Sequence, residues 1–255
     1  WEIASTGSFS EDNTLYVNTY ETYPRVIGID PTLTYLTMGG NGYKLHSYTL
    51  GTAGDVSTGV YQSSFPSSGT VRYSGMDWNT DGSEFYVVNY TSNVIQQYSV
   101  TTNYVVGTSP TLVGSYTSPG TVMMGLHVSP DGTKVWSIAY SATTVYEFNL
   151  STAWDITSVS SYNTFTVSSS GAPTDIRWNA IGTQMILLNQ NTGDFLVYEP
   201  TTAFTFNGLS STASHTVSAT GALGYGFDIS DDGTAWLIGS NNAGGNVRKY
   251  TVTLS

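Results

Sequence analysis

The sequence predicts an all-β fold, a five-bladed β-propeller with four antiparallel strands per blade and the N-terminal segment closing the last blade. Three observations predict it: a unit of about fifty residues written five times, short apolar runs cut by tight turns inside each unit, and complementary text at the two chain ends. A period of this length means stacked supersecondary units that cannot bury their apolar faces alone. The tightest copy runs Gly125-Leu-His-Val-Ser-Pro-Asp-Gly-Thr-Lys-Val-Trp136, with Thr144-Val-Tyr-Glu-Phe-Asn-Leu150 and Ala153-Trp-Asp-Ile156 behind it. Its turn glycine recurs as Gly82, Gly132, Gly182 and Gly233, in steps of 50, 50 and 51. Fifty residues before Gly82 stands Thr32, in the degenerate turn Asp30-Pro31-Thr32-Leu33.

The first strand of a unit is Gly75-Met-Asp-Trp78, Gly125-Leu-His-Val128, Asp175-Ile-Arg-Trp178 or Gly226-Phe-Asp-Ile229. A turn such as Ser129-Pro-Asp-Gly132 ends it, because Asp and Gly both tolerate positive φ. The second strand follows, as in Glu84-Phe-Tyr-Val-Val88 or Lys134-Val-Trp-Ser-Ile138. The third carries an aromatic ten residues after an apolar landmark: Met38 to Tyr48, Val88 to Tyr98, Ile138 to Phe148 and Leu188 to Tyr198. In the last unit Ile238 to Tyr250 is twelve, and Asn241-Asn-Ala-Gly-Gly245 takes up the two extra residues as a longer hairpin loop. The fourth run is rich in Ser, Thr and Tyr, for example Tyr162-Asn-Thr-Phe-Thr-Val167. Apolar inner strands and a polar outer one are what a disc with a wet rim requires.

The chain ends supply the closure. Loops of equal phase follow the third strand: Gly54-Asp-Val56, Tyr104-Val-Val106, Trp154-Asp-Ile156 and Phe204-Thr-Phe206. The fifth has no room before Ser255, and Trp1-Glu-Ile3 reads as its missing text after Val252-Thr-Leu-Ser255. Residues 1–17 then supply the outer strand of the last blade, which removes a free edge. One domain over 1–255 results, with blades at about 25–74, 75–124, 125–174, 175–225, and 226–255 plus 1–17. An open solenoid would need polar capping repeats, and neither end reads as one.

Composition narrows the function. Seven Lys and Arg face eighteen Asp and Glu, a net charge of −11. That argues against sequence-independent nucleic-acid binding, where cations must replace phosphate counterions, and against an anionic membrane surface. With no cysteine, disulfides, thiolate catalysis and cysteine-held metals are excluded. No apolar run is long enough for a transmembrane helix. The chain starts at Trp1 without a signal peptide, as a processed form or an excised domain would. Abundant Ser, Thr, Gly, Asn and Tyr suit β-structure displayed outside the cell.

The segments Ser129-Pro-Asp-Gly-Thr-Lys134 and Leu150-Ser-Thr-Ala-Trp-Asp-Ile-Thr157 resemble a repeat family of bacterial and phage proteins. The resemblance covers essentially the whole chain and is strongest at 75–174. It implies a propeller of the broad lactonase-like and YVTN-type groups, carried as a module in secreted, cell-surface or virion proteins. It carries no catalytic motif, since the shared residues are turn and packing positions. The Gly-His and Trp-Asp pairs of cytosolic WD repeats are missing from their usual places.

Two residue sets are candidates for a site. The third residue of strand one reads Ile27, Asp77, His127, Arg177 and Asp228, which the period stacks at one height around the axis. Such a cluster makes either a ligand pocket with an acid–base pair or a structural ion-pair ring filling a narrow tunnel. A glycosidase would want two Asp and a Glu converging there, and no strand-one Glu exists. The loop aromatics Trp1, Tyr104, Trp154 and Phe204 make either a ring of sugar-stacking platforms or staples that tuck each loop onto its blade. Gly54 breaks that ring, and Ile3, Val56, Val106 and Ile156 read as companion anchors.

Asp228-Ile-Ser-Asp-Asp-Gly233 begins like a calcium loop, but Gly239 stands where the bidentate Glu belongs and a hairpin turn explains the segment. His46 and His215 have no metal-ligand spacing, so no metal or cofactor is expected. Asn89-Tyr-Thr91 and Asn149-Leu-Ser151 match the glycosylation sequon. The expectation is a non-enzymatic extracellular module, of a virion fibre, tail or head or of a bacterial surface. It presents loops to a host glycan or protein receptor, or to other subunits of a larger assembly, without nucleic acid or membrane insertion. The alternative is a secreted lactonase-like or glycan-cleaving enzyme using Asp77, His127, Arg177 and Asp228.

Overall fold

A computed structural model of the chain describes residues 1–4, 9–66, 71–107, 109–168, 172–218, 224–241 and 244–252. Its strands form five four-stranded antiparallel sheets, the blades of a propeller. Strand β1 (Phe9–Tyr16) comes first and is held back for the end. Blade one is β2 (Pro24–Ile29), β3 (Tyr35–Gly40), β4 (Lys44–Leu50) and β5 (Gly59–Pro66). Blade two is β6 (Tyr73–Trp78), β7 (Glu84–Asn89), β8 (Val94–Ser99) and β9 (Thr111–Thr117). Blade three is β10 (Met123–Val128), β11 (Lys134–Ala139), β12 (Thr144–Leu150) and β13 (Val159–Thr166). Blade four is β14 (Pro173–Trp178), β15 (Met185–Asn189), β16 (Asp194–Tyr198) and β17 (His215–Ser218). Blade five is β18 (Gly224–Ile229), β19 (Ala235–Ser240) and β20 (Asn246–Val252), completed by β1.

The closure is an antiparallel ladder from Phe9 opposite Val252 to Tyr16 opposite Asn246, with one irregularity between Glu11 and Asn13. Phe9 stacks on Phe195 of blade four at 5.5 Å between ring centroids. The residues before β1 are fixed as well. Ile3 donates its amide to Gln184 Oε1 (2.7 Å), Gln184 Nε2 donates to the Ile3 carbonyl (3.0 Å), and Asn179 donates to the Trp1 carbonyl (2.7 Å). Residues 253–255, which the sequence reads as the lead into Trp1, lie outside the described residues, as do 242–243 of the last hairpin loop.

Burial follows the predicted gradient. All six residues of β14 are buried, whereas of β13 only Phe165 is. The apolar side chains fall into five clusters, and each lies between two blades rather than within one. Ile186, Leu188 and Phe195 of blade four meet Phe227, Trp236 and Ile3, and Val247 and Leu237 of blade five meet Ile27, Leu36 and Met38 of blade one. A buried side chain of this size is worth roughly 1.5–3 kcal/mol. No blade can realise that alone, which is why the units must close into a ring.

Blade one departs from the period. The position of the turn glycines Gly82, Gly132, Gly182 and Gly233, all near φ +70°, is filled by Leu33 at φ +56° and not by Thr32. The turn bond is the same in all five: Leu33 N–H to the Asp30 carbonyl, like Gly82 to Asn79. Asp30 supports the bulkier residue by accepting the Thr34 and Tyr35 amides (2.7 and 2.5 Å). The β3–β4 connection is correspondingly one residue shorter, so the period of 50 returns by Tyr48 and Tyr98, which oppose Leu36 and Phe85.

Candidate functional site

The pairing register sets the axial ring. Asp77 lies opposite Tyr86, His127 opposite Trp136, Arg177 opposite Ile186, and Asp228 opposite Leu237. The equivalent residue of blade one is Gly28, opposite Thr37. Ile27, expected in this ring, is one place earlier and fully buried in the core between blades five and one. The correction has a steric sense: a Cβ on Gly28 would stand 3.2 Å from Met76 Sδ and 3.3 Å from Trp78 Nε1.

Arg177 dominates the axis. Its Nε donates to Asp228 Oδ1 (2.8 Å), Nη1 to the carbonyls of Leu126 (2.6 Å) and Ile176 (2.8 Å), and Nη2 to those of Ile27 (3.1 Å) and Met76 (3.2 Å). These acceptors come from β2, β6, β10, β14 and β18, so one guanidinium joins the inner strands of all five blades. A planar five-donor group can do this, and an ammonium cannot. Asp175, two residues earlier on the same strand, completes the set at 3.5 Å from Nη1. The sequence reading passed over Asp175, although strand alternation places it on the axial face with Arg177.

Electrostatics follow from this crowding. Burial works against the Arg177 charge, but Asp228, Asp175 and Asp77 outweigh it and raise its pKa. Burial pushes the Asp175 carboxyl up to about 7, against the pull of Arg177 and of the Phe227 and Ile176 amides it accepts. Asp228 is also raised by burial, against Arg177. Burial would raise Asp77 too, yet His127, the Arg177 charge and the Val128 amide hold it below the ordinary carboxylate value. His127 Nδ1 stands 2.9 Å from Asp77 Oδ2. The carboxylates also sew blades together, Asp77 accepting Val128 N–H and Asp228 accepting Ile29 N–H, each at 2.8 Å.

Above Arg177 the tunnel opens into a cavity of about 400 Å³, into which Asp77, His127, Arg177 and Asp228 all face. Trp1, Tyr104 and Trp154 form part of its wall. Phe204 does not. It packs on Trp136 and Trp178 at 6.2 and 5.9 Å instead.

All four rings also clip their loops. Tyr104, Trp154 and Phe204 donate their amides to the carbonyls of Gly82, Gly132 and Gly182 (2.9–3.0 Å). Each ring, with Trp1 over Gly233, occupies the space a Cβ on that glycine would need. In blade one the pair is inverted: Gly54 donates to the Leu33 carbonyl (2.8 Å), and Leu33 supplies the side chain that Gly54 lacks. The anchors Ile3, Val56, Val106 and Ile156 are all buried.

Among the described residues no group of three His, Asp or Glu is arranged to hold a metal ion. In the calcium-like segment Asp232 Oδ1 accepts from Ser230 Oγ, Thr234 N and Thr234 Oγ1 (2.6–3.0 Å), bonds of the hairpin turn. His46 is buried among Tyr20 and Tyr61, and His215 stands 3.8 Å from Glu199. Of the sequon residues, Asn89 is buried and caps the β7–β8 turn through Thr91 and Ser92 amides (3.1 and 3.2 Å), while Asn149 donates to Ser161 Oγ (3.3 Å).

No protein-family model matches the sequence, and no curated protein matches it. Among solved structures, the chain is similar to one in the crystal structure of the mitotic checkpoint complex, with a TM-score of 0.53 and 12% identity over 90% of this chain and 63% of that one. A functionally unknown protein from Desulfotomaculum acetoxidans DSM 771 is similar at a TM-score of 0.52 and 15% identity, over 84% of this chain and 62% of the other. The chain thus spans less than two thirds of each. Likeness at this identity is a likeness of fold.

Proposed function

We propose that the protein is a non-enzymatic binding module of a virion or bacterial surface, a propeller of the lactonase-like/YVTN-type repeat group that engages a glycan or a partner protein at its upper mouth. The observation that carries this reading is the division of labour in the axial cluster. Arg177, Asp175 and Asp228 spend their hydrogen bonds on one another and on the backbone, which suits a brace. What remains for a ligand is a concave cavity of about 400 Å³ walled by Trp1, Tyr104 and Trp154, with the Asp77–His127 pair at its floor. Half-buried aromatic walls with a few convergent polar groups suit a sugar ring, which offers apolar faces and hydroxyl edges. The acidic, cysteine-free composition supports display outside the cell.

The Asp77–His127 pair favours a second reading, a hydrolase of lactones or glycosides in which His127 serves as the base. The test is a glycan array and a bacterial cell-binding assay, run with wild type and with Trp154→Ala. Saturable binding that Trp154→Ala weakens at least tenfold, without turnover of bound sugar or of model lactones, is the expected outcome. Turnover that His127→Gln abolishes transfers the site to the hydrolase reading. Binding to no glycan or cell leaves only the architectural role within a larger assembly.

A further inference from the structure

The opposite end of the tunnel has a different chemistry. Three residues before the axial ring, Arg25, Ser74 and Met124 stand at equivalent places on β2, β6 and β10. They line a second cavity of about 160 Å³, together with Arg72 and with Asn41, Tyr90, Tyr140 and Gln190, which recur at steps of 49, 50 and 50. No Asp or Glu lines it.

The cations of the chain are sharply divided. Arg177, Arg248, Lys134 and Lys249 each lie within 3.1 Å of an acidic side chain. The other three, Arg25, Lys44 and Arg72, form no salt bridge among the described residues, although acids outnumber bases eighteen to seven, and two of the three meet at this cavity. Arg25 is half-buried; its Nε donates to Asn41 Oδ1 (3.1 Å) and its guanidinium lies 4.4 Å from the centre of the Tyr225 ring. That leaves its Nη groups without an acceptor among the described residues. Burial weakens its hold on the proton; the Tyr225 and Tyr90 phenols and the nearby Glu21 carboxylate work against this, and repulsion from Arg72 works with it. The phenols of Tyr90 and Tyr140 likewise have no protein hydrogen-bond partner among the described residues. Two guanidiniums without a salt bridge, two phenols without a protein partner among the described residues, and a lining with no acid make a receptor for a negatively charged oxygen group.

We propose that the lower mouth binds an oxyanion, a carboxylate, sulfate or phosphate group, between Arg25 and Arg72 with Tyr90 and Tyr140 as further donors. The site is independent of the reading of the upper mouth. A free inorganic anion or the acid group of a sugar would satisfy the same donors.

The test is titration with sodium sulfate, sodium acetate or sodium glucuronate at constant ionic strength, with chloride as the balancing salt. Arginine Nε–H and tyrosine ring resonances report binding, and circular dichroism confirms the fold of each variant. Saturable shifts confined to Arg25, Arg72, Tyr90 and Tyr140 are expected with at least one anion; tighter glucuronate than sulfate identifies an acidic sugar, and the reverse identifies the free anion. Arg72→Gln, at an exposed position, should weaken binding at least tenfold, as should Arg25→Gln. Trp154→Ala should leave it unchanged, which separates this result from any failure at the upper mouth. Shifts that do not saturate, or an affinity that Arg72→Gln leaves intact, overturn the proposal.

Discussion

The two mouths of the tunnel are built from the same inner strands, only three residues apart, yet they face solvent with opposite charge. At the upper mouth Asp77, Asp228, Asp30 and Asp231 line an aromatic-walled cavity. At the lower mouth Arg25 and Arg72 line a smaller one without an acid. Arg177 lies between them and takes its acceptors from every blade. A net charge of −11 therefore describes the molecule and misdescribes one of its ends. The sign of a binding site is set by which side chains a period stacks together, and one buried cation is enough to separate two such stacks.

The separation can be broken most severely at Arg177. Arg177→Met leaves Asp175 and Asp228 buried without their counter-charge and four carbonyls without a donor. Equilibrium unfolding in urea should show a loss of about 3–5 kcal/mol, and Arg177→Lys should restore little of it. Next in size, Trp154→Ala removes a half-buried ring from the upper wall and from above Gly132. A loss of about 2 kcal/mol is expected from truncating a partly buried aromatic, together with the loss of upper-mouth binding and no change at the lower mouth.

Blade one offers a finer probe, because its clip is inverted. Leu33→Gly or Gly54→Tyr alone should each cost about 1 kcal/mol in thermal unfolding, the first by a void and the second by a clash with Leu33. The double variant recreates the Gly82–Tyr104 pair and should recover most of the loss, a coupling that independent sites would not show. It would also give the upper mouth a further aromatic wall.

The smallest effects are in pH. Asp175 has a folded pKa raised to about 7, so its contribution is complete below the ordinary carboxylate value and is lost as pH rises through 7. His46, in the blade-one core, is depressed to about 4 by burial, with the Lys44 charge adding to it. Its contribution is complete above pH 6.5 and is lost as pH falls through 4. The two oppose one another between pH 4 and 6.5. Asp175→Asn should steepen the rise of stability with pH in that window, and His46→Phe should leave only a decline.

The architecture was legible because turn chemistry and packing residues repeat with the blade. Gly82, Gly132, Gly182 and Gly233 mark the same turn, and Trp1-Glu-Ile3 matches the loop text that blade five lacks. Blade one misled by one residue because Leu33 holds a left-handed turn without glycine, and a shortened hairpin then hid the slip. Four of the five ring positions were readable, and the fifth is Gly28 rather than Ile27. The hub itself was not legible, since four of the acceptors of Arg177 are backbone carbonyls, which no side-chain pattern advertises. Nor was the lower mouth, although the steps from Asn41 to Tyr90, Tyr140 and Gln190 carry the blade period as plainly as the glycines do.

Hydrogen exchange of the Arg177 guanidinium, followed by NMR at neutral pH, reaches the hub directly. Nε–H and Nη–H signals that are individually resolved and exchange as slowly as the amides of β14 are the predicted result. A guanidinium with averaged signals and solvent-fast exchange would mean that the axis is open, and the two mouths would then be one site.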